Sequence, residues 1–389
     1  MRLVSTKIEY FFQQLQLFAL GVLCSTYIFR HAFFKDVDLD FVIILSNIRY
    51  VIYVFMLLSI VYNAYVNKTN IKIIAFMFIT LGYTVVLSYQ SEIVLMQDYQ
   101  YLVLEIFTYT LLNFAYKDIE YNRIIKALCI AFLIAICTIL IMYLLSLLRV
   151  FIEWRGDVFR YNLGMYTKND LPYIVLYLYL YYFYLRKENI SICELVLMFL
   201  INYLIYYYTN VRSVFALNML MLICMFVLKY FNQIRDYKRV YGITLMLASV
   251  FAPISIVLLS FFYDDDIFLM NRLNAILSGR LSIGHEALGN LGIHLFGDYV
   301  EYTNYPYFVI DSSYLRFLLD YGVIAFFLLI IALLYFAYLI HKKRDIYLTI
   351  IMLASVLHMM FDIDLFYMTM NYLLFIWSYK NSNLNVKVR

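Results

Sequence analysis

Helix-breaking residues are scarce: 389 residues include 3 prolines and 11 glycines. Secondary transporters carry substrate on glycine- or proline-broken helices in related positions of two repeats. Neither such breaks nor an internal repeat is visible in the sequence, which weighs against that class. Charge is scarce too. Asp, Glu, Lys and Arg make up 14% of the chain, against about a quarter in soluble domains, so a water-soluble fold is excluded. A net charge of +4 spread over this length offers no nucleic-acid footprint. Cys24, Cys129, Cys137, Cys193 and Cys224 lie in or at the ends of apolar segments without CxxC spacing. They read as small core hydrophobes and indicate neither a disulfide frame nor a metal site. Zinc spacing, a P-loop and Gly-x-Ser-x-Gly are all missing, leaving hydride transfer, ATP hydrolysis and serine hydrolysis without support. No cofactor is expected.

What the chain has instead is apolar length: 65% of it is hydrophobic, with a mean hydropathy of +0.80. Barrel strands alternate apolar and polar over about ten residues, whereas 127–148 is apolar on every face. The fold class expected is therefore all-α: an integral membrane protein, a single polytopic helical bundle. At roughly 20 apolar residues per crossing, the apolar runs give about 12 transmembrane helices, near 9–29, 42–64, 71–90, 99–116, 127–148, 171–185, 191–209, 213–231, 240–262, 313–340, 346–360 and 365–379. The run at 313–340 is too long for one straight crossing, so its first turns are expected outside the hydrocarbon or tilted. The start (Met1, Arg2, Lys7) lacks the small-residue cleavage site of a removable signal peptide, so the first helix is expected to stay.

Lys and Arg set the orientation. Connections such as Lys117/Arg123/Lys126, Lys229/Arg235/Lys238/Arg239 and Lys342/Lys343/Arg344, with both ends of the chain, are richer in them than the opposite set. Both termini are accordingly placed in the cytoplasm, with the plasma membrane as the location. Outside lie the two long connections, 149–170 and 263–312, the second holding Gly279, Gly284, Gly289, Gly292 and Gly297. Long loops are usually functional, so the site is expected there.

Basic residues on the outer side go against the topological bias and ask for partners. Arg212 lies in a short connection (Tyr208-Thr-Asn-Val-Arg212-Ser) at the membrane interface, where ionisable groups are functional candidates by default; a snorkelling anchor is the plainer role. Arg280 follows Gly279, and a guanidinium fork suits phosphate oxygens better than lysine does. Arg49, Arg155, Arg160 and Arg272 would add to an anionic-ligand site, although ion pairing with Glu153, Asp157 or Asp264–Asp266 is favoured for Arg155 and Arg272. Candidate bases are His285, Glu286, His294, Asp298, Glu301, Asp311 and Asp320. Asp311 opens the re-entry into the membrane and equally suits an N-cap. His285 with Glu286 would give a base and an orienting carboxylate, although neighbours on a helix point apart. The Asp-x-Asp triplets at Asp36–Asp40, Asp264–Asp266 and Asp362–Asp364 suit a hard cation, but chance explains most of them. The 42 tyrosines and 33 phenylalanines are mainly belt and packing residues.

Several of these residues follow one order: Ser278-Gly279-Arg280, Ala287-Leu288, Leu295-Phe296-Gly297, Asp311-Ser312-Ser313-Tyr314-Leu315 and Gly322. That order resembles the O-antigen polymerase/ligase superfamily, in particular Wzy-type surface-polysaccharide polymerases of Gram-positive type. Arg160 with Gly164 and Asn169 resembles the superfamily's earlier outer segment. Thr209-Asn-Val-Arg212 resembles its turn before a helix, with one extra residue. Ligases of the superfamily usually carry His where Asp311 stands, so the resemblance favours a polymerase and leaves the base open between Asp311 and His285.

The resemblance implies a capsular or exopolysaccharide polymerase. Such an enzyme moves a growing glycan from undecaprenyl pyrophosphate onto a second carrier-linked oligosaccharide repeat unit. Arg212, Arg280, Arg160 and Arg49 would then bind pyrophosphate, while Asp311, Arg280 and His285 form the catalytic set. Gly279, Gly297, Tyr314 and Gly322 would shape the loop. No metal is needed where arginine neutralises the leaving group, and metal independence is expected. Partners would be the lipid-linked oligosaccharides, the bilayer, and a chain-length regulator and flippase of the same pathway; nucleic acid is not among them. Other readings are a ligase, a polyprenyl-phosphate-sugar transferase using Asp36–Asp40, and a non-enzymatic flippase for lipid-linked oligosaccharide. A flippase would need a polar path through the helices, and Arg49 and Glu105 are among the few deeply placed charges.

Overall fold

The computed structural model describes residues 2–30, 32, 48, 51–52, 54, 120–155, 158–231, 233, 237–297 and 310–362. The expected crossings at 71–90, 99–116 and 365–379, nearly all of 42–64, and Arg49, Glu105, Asp298, Glu301 and the Asp36–Asp40 segment lie outside these residues. The described part is predominantly helical and divides into two compact units. Five of its helices are long and apolar enough to cross a membrane.

The first unit holds helix α1 (Arg2–Arg30), α2 (Tyr121–Leu144), a hairpin of β1 (Ile152–Arg155) and β2 (Val158–Tyr161), then α3 (Asp170–Arg186), α4 (Ile192–Thr209) and α5 (Arg212–Tyr230). α3 is apolar all round and buried on nearly every side, as a helix at the centre of a bundle must be. Its Tyr181 meets Phe132 of α2 edge to face at 5.4 Å. On α4's side, its Tyr179 hydroxyl donates to the Met198 carbonyl at 2.8 Å. α4 starts with a capping box: Glu194 N–H donates to Ser191 Oγ at 3.1 Å while the Glu194 carboxylate takes the Ser191 N–H. Arg186 pairs with the same carboxylate at 2.9 Å. The expected outer connection at 149–170 thus contains ordered strands, paired antiparallel from Ile152 with Tyr161 to Arg155 with Val158.

The second unit is built on α6 (Lys238–Phe261), with α7 (Phe268–Ile276), α8 (Arg280–Leu291), α9 (Ser313–Lys343) and α10 (Ile346–His358) following. α8, α9 and α10 all pack on α6. Small residues allow this closeness. A Cβ on Gly242 of α6 would fall 2.1 Å from His341 Nδ1 of α9, and one on Gly284 of α8 would fall 2.5 Å from Ser260 Oγ of α6. Within the expected 263–312 connection the chain forms α7 and α8 rather than running on as open loop.

α9 is not continuous. At Gly322 the backbone takes φ 81° and ψ 177°, which breaks the helix. The N–H groups of Val323 and Ile324 turn from α9's own carbonyls to those of His294 and Leu295, at 3.0 and 3.2 Å. Gly297 lies back to back with Gly322: a Cβ on Gly322 would fall 2.1 Å from Gly297 N, and one on Gly297 would fall 2.5 Å from Asp320 O. Here the structure corrects the reading that membrane helices are unbroken. The remainder, 323–343, is about 31 Å long at 1.5 Å per residue, enough for one crossing, which leaves the first turns of α9 as a separate short segment.

Candidate functional site

The chemistry-bearing residues fall in both units. In the second, Ser278 and Gly279 take positive φ (60° and 85°), turning the chain sharply between α7 and α8 and placing Arg280 at the first helical position. Gly279 has no side chain to cap α8. Asn274 does so from within α7: its Oδ1 accepts from Leu281 N at 3.0 Å and Ser282 N at 3.2 Å, and its amide donates to Ser282 Oγ and to the Tyr263 hydroxyl. The first-turn amides of α8 are thereby satisfied within the protein. Any anion here must be met by side chains.

Arg280 supplies one. Each of its three nitrogens has a different acceptor: Nε donates to Phe361 O at 3.0 Å, Nη1 to Leu277 O at 3.1 Å, and Nη2 pairs with Asp311 Oδ2 at 3.3 Å. The guanidinium is 14% exposed and Asp311 is 38% exposed, so the cation is held inside while the carboxylate faces outward. Burial draws the Arg280 guanidinium below its ordinary value, and the Asp311 charge acts against that; an arginine stays charged regardless. Two of the three contacts are backbone carbonyls and fix the side chain. Only the third is a group that an incoming anion can replace.

Asp311 is not the N-cap of α9. Ser312 is, its Oγ accepting from Leu315 N at 3.5 Å. Ser313 N–H lies 3.0 Å from both the Met359 and Asp362 carbonyls, and Ser313 Oγ also donates to Asp362 O. The Tyr314 hydroxyl is buried and donates to Val356 O at 2.9 Å. The turn at 359–362, just after α10, thus holds both Arg280, through Phe361, and the segment carrying Asp311, through Ser313. His358, buried at the end of α10, is close enough to feel the Arg280 charge. His358 and the carbonyls of 359–362 escaped the sequence reading, which noticed Asp362 only as half of an Asp-x-Asp triplet.

The other candidates are placed as follows. His285 is exposed on α8, with Nδ1 3.1 Å from Ser260 O and its ring 6.2 Å from Tyr263; among the described residues it touches neither Arg280 nor Asp311. His294 turns back to Leu291 O at 3.0 Å. Asp320 pairs with Arg316 at 3.3 Å, one helical turn away. Asp264 takes the Asp266 amide and Asp265 takes the Tyr263 hydroxyl, a local turn; that hydrogen bond is the main reason the Tyr263 phenol is raised above its ordinary value. Arg272 lies over the Phe268 ring at 5.1 Å instead of pairing with this acidic run, because both sit on one face of α7. Among the described residues no cluster of His, Cys, Asp or Glu has the grouping of a metal site.

In the first unit, Arg160 is buried and donates to Thr209 O at 3.0 Å and Asn210 O at 3.5 Å. It satisfies carbonyls at the end of α4, where Asn210 is left-handed (φ 51°). Arg212 opens α5 two residues on and is exposed, without an ion pair among the described residues. The two segments that carry the earlier part of the resemblance are therefore joined, with Arg160 as the tie and Arg212 as the open cation. Arg49 lies outside the described residues. No family model, curated protein or solved structure matches the chain.

Proposed function

We propose that the chain is a glycosyltransferase of the outer face of the plasma membrane, joining undecaprenyl-pyrophosphate-linked oligosaccharide repeat units into a polysaccharide. The observation that carries the reading is the Arg280–Asp311 pair: a largely covered arginine fixed by two backbone carbonyls beside a half-exposed carboxylate. In the reaction, a hydroxyl on the acceptor repeat unit attacks the anomeric carbon of the donor glycan. A new glycosidic C–O bond forms, the anomeric C–O bond to phosphate breaks, and undecaprenyl pyrophosphate leaves. Asp311 takes the hydroxyl proton. Arg280 meets the charge that develops on the pyrophosphate, exchanging its Asp311 contact for a phosphate oxygen and so releasing the carboxylate as the donor binds. His285 is the second candidate for the proton, with Nε2 as its accepting atom when Nδ1–H donates to Ser260 O. Arg212, open at the start of α5, suits phosphate on a lipid carrier.

A flippase for the same lipid-linked oligosaccharide is the second reading, and the break in α9 at Gly322 favours it, since broken helices mark many transport sites. One experiment separates the two. Cells carrying Arg280→Ala or Asp311→Ala at normal protein levels are analysed for glycan size and for the side on which a single lipid-linked repeat accumulates. The polymerase reading expects long polymer to vanish and the repeat to collect outside. Accumulation on the cytoplasmic face overturns it in favour of the flippase. In membranes, turnover is expected to survive chelation by EDTA, because the cation is arginine; loss on chelation and recovery with Mg²⁺ would assign the charge to a metal.

A further inference from the structure

The β1–β2 hairpin has a face that the proposed chemistry does not use. Its register puts Ile152, Trp154, Phe159 and Tyr161 on one side and Glu153, Val158 and Arg160 on the other. The second side is polar and partly tied to protein: Arg160 is buried on the end of α4, and the exposed Glu153 pairs with Lys168. The first side is open. Ile152, Trp154 and Phe159 are 54%, 62% and 45% exposed, and the Trp154 and Phe159 rings lie against each other at 3.7 Å between centroids.

What covers this face follows from what it joins. On the α2 side the chain runs into the hairpin from Leu144, Leu145 and Leu147, all exposed, and Leu144 ends a helix apolar enough to cross a membrane. On the α4 side Tyr161 meets Tyr208 edge to face at 5.9 Å, and Tyr208 meets Tyr207 at 5.3 Å; both α4 tyrosines are exposed near the end of another such helix. The aromatic face thus meets the exposed end of one membrane-length helix, α4, through Tyr161 and Tyr208, and follows the exposed end of another, α2, within a few residues of chain. Tryptophan and tyrosine collect at that depth, with an apolar ring body and a polar tip. Nearest the Trp154 and Phe159 rings on this face is the aliphatic Ile152, and the Tyr161 ring is turned to Tyr208.

We propose that this face is a membrane-interface anchor, with Ile152, Trp154 and Phe159 seated in lipid at the headgroup–acyl boundary. Because Arg160 of the same hairpin grips the Thr209 and Asn210 carbonyls, the anchor places the turn carrying Arg212 at the same interface. The proposal stands apart from the glycosyltransferase reading and needs only that α2 and α4 cross a bilayer.

The chain has 2 tryptophans, so Trp377→Phe leaves Trp154 as the sole reporter. The full-length variant is reconstituted in phosphatidylcholine/phosphatidylglycerol vesicles, with acyl chains either plain or brominated at carbons near the headgroup. An anchor about 5–10 Å into the interface is within reach of those bromines, and Trp154 emission is expected to fall roughly twofold or more while aqueous iodide has little effect. Strong quenching by iodide with none by bromolipid would overturn the proposal. So would emission that answers to added oligosaccharide and ignores bromolipid, which would make the face a sugar platform. If Trp377→Phe fails to fold, 5-fluorotryptophan labelling of the natural chain gives two resonances, and Trp154→Phe identifies the one to follow. Broadening of that signal by a lipid-borne spin label supports the anchor; broadening only by a water-soluble gadolinium chelate refutes it.

Discussion

At the scale of the residue, Arg280 uses what lysine lacks: three nitrogens in a plane, each directed at a separate acceptor. An ammonium can occupy the same space but cannot reach the Phe361 and Leu277 carbonyls and still face Asp311. Arg280→Lys is therefore expected to lower the polymerisation rate in isolated membranes by about 10²-fold, the usual loss when a fixed transition-state donor is removed, with folded protein still present. Full rate with lysine would show that charge alone suffices and would remove Arg280 from the proposed role. Asn274 makes a separable prediction. It caps α8 from the preceding helix, so Asn274→Ala leaves the Leu281 and Ser282 amides unsatisfied and is expected to cost about 1 kcal/mol, seen as a lower unfolding midpoint in detergent. An unchanged midpoint would mean that water caps α8 equally well. These residues show where sequence reading reaches its limit. Arg280 and Asp311 were legible because charged side chains announce themselves in an apolar chain. Asn274 was not, since a cap supplied from outside the helix has no fixed spacing. The carbonyls of 359–362 were invisible because every residue carries one.

At the scale of the element, apolar runs revealed the helices because lipid requires it: a crossing satisfies its own backbone and hides no polar face. The runs read at 127–148, 191–209, 213–231 and 240–262 reappear as helices α2, α4, α5 and α6 of membrane-crossing length, with ends shifted by up to six residues, while those at 171–185 and 346–360 reappear as the shorter helices α3 and α10. Hydropathy does not register a break made by one glycine inside such a run, so the kink of α9 passed as excess length. Gly322 and Gly297 both stand in segments that carry the resemblance, and what links them emerges only when the chain brings them together. Ala at 322 would carry a Cβ at φ 81° and ψ 177°, a region essentially reserved for glycine that costs about 1–3 kcal/mol, and would overlap Gly297 as well. Gly322→Ala and Gly297→Ala are each expected to lower the unfolding midpoint by several degrees. Gly289 is the internal control. It lies in α8 with open space around it, so Gly289→Ala should be neutral or stabilising by up to about 1 kcal/mol. Equal behaviour of all three would show that the glycine pair does not hold the break.

At the scale of the whole molecule, the reading depends on which side of the membrane α8 faces. A lipid-linked repeat unit polymerised on the outer face must meet Arg280 and Asp311 there, and the connection that carries them violates the basic bias only if it is outside. An even number of crossings, such as the twelve the sequence suggests, returns the end of the chain to the side of its start. Alkaline phosphatase folds to an active enzyme only outside the cytoplasm, whereas green fluorescent protein exported in unfolded form stays dark. Fusions of the phosphatase after Leu291 and of green fluorescent protein at Arg389 are therefore both expected to be active. The reverse pairing, with phosphatase active at Arg389 and inactive after Leu291, would invert the topology. Arg280 and Asp311 would then face the cytoplasm, where a donor already moved across the membrane is out of reach, and the outer-face reaction would fail however well the pair is built. Activity at Leu291 together with a dark Arg389 fusion would instead make the crossings after α8 even in number: the pair would keep its place on the outer face, and the three crossings read after it would be wrong.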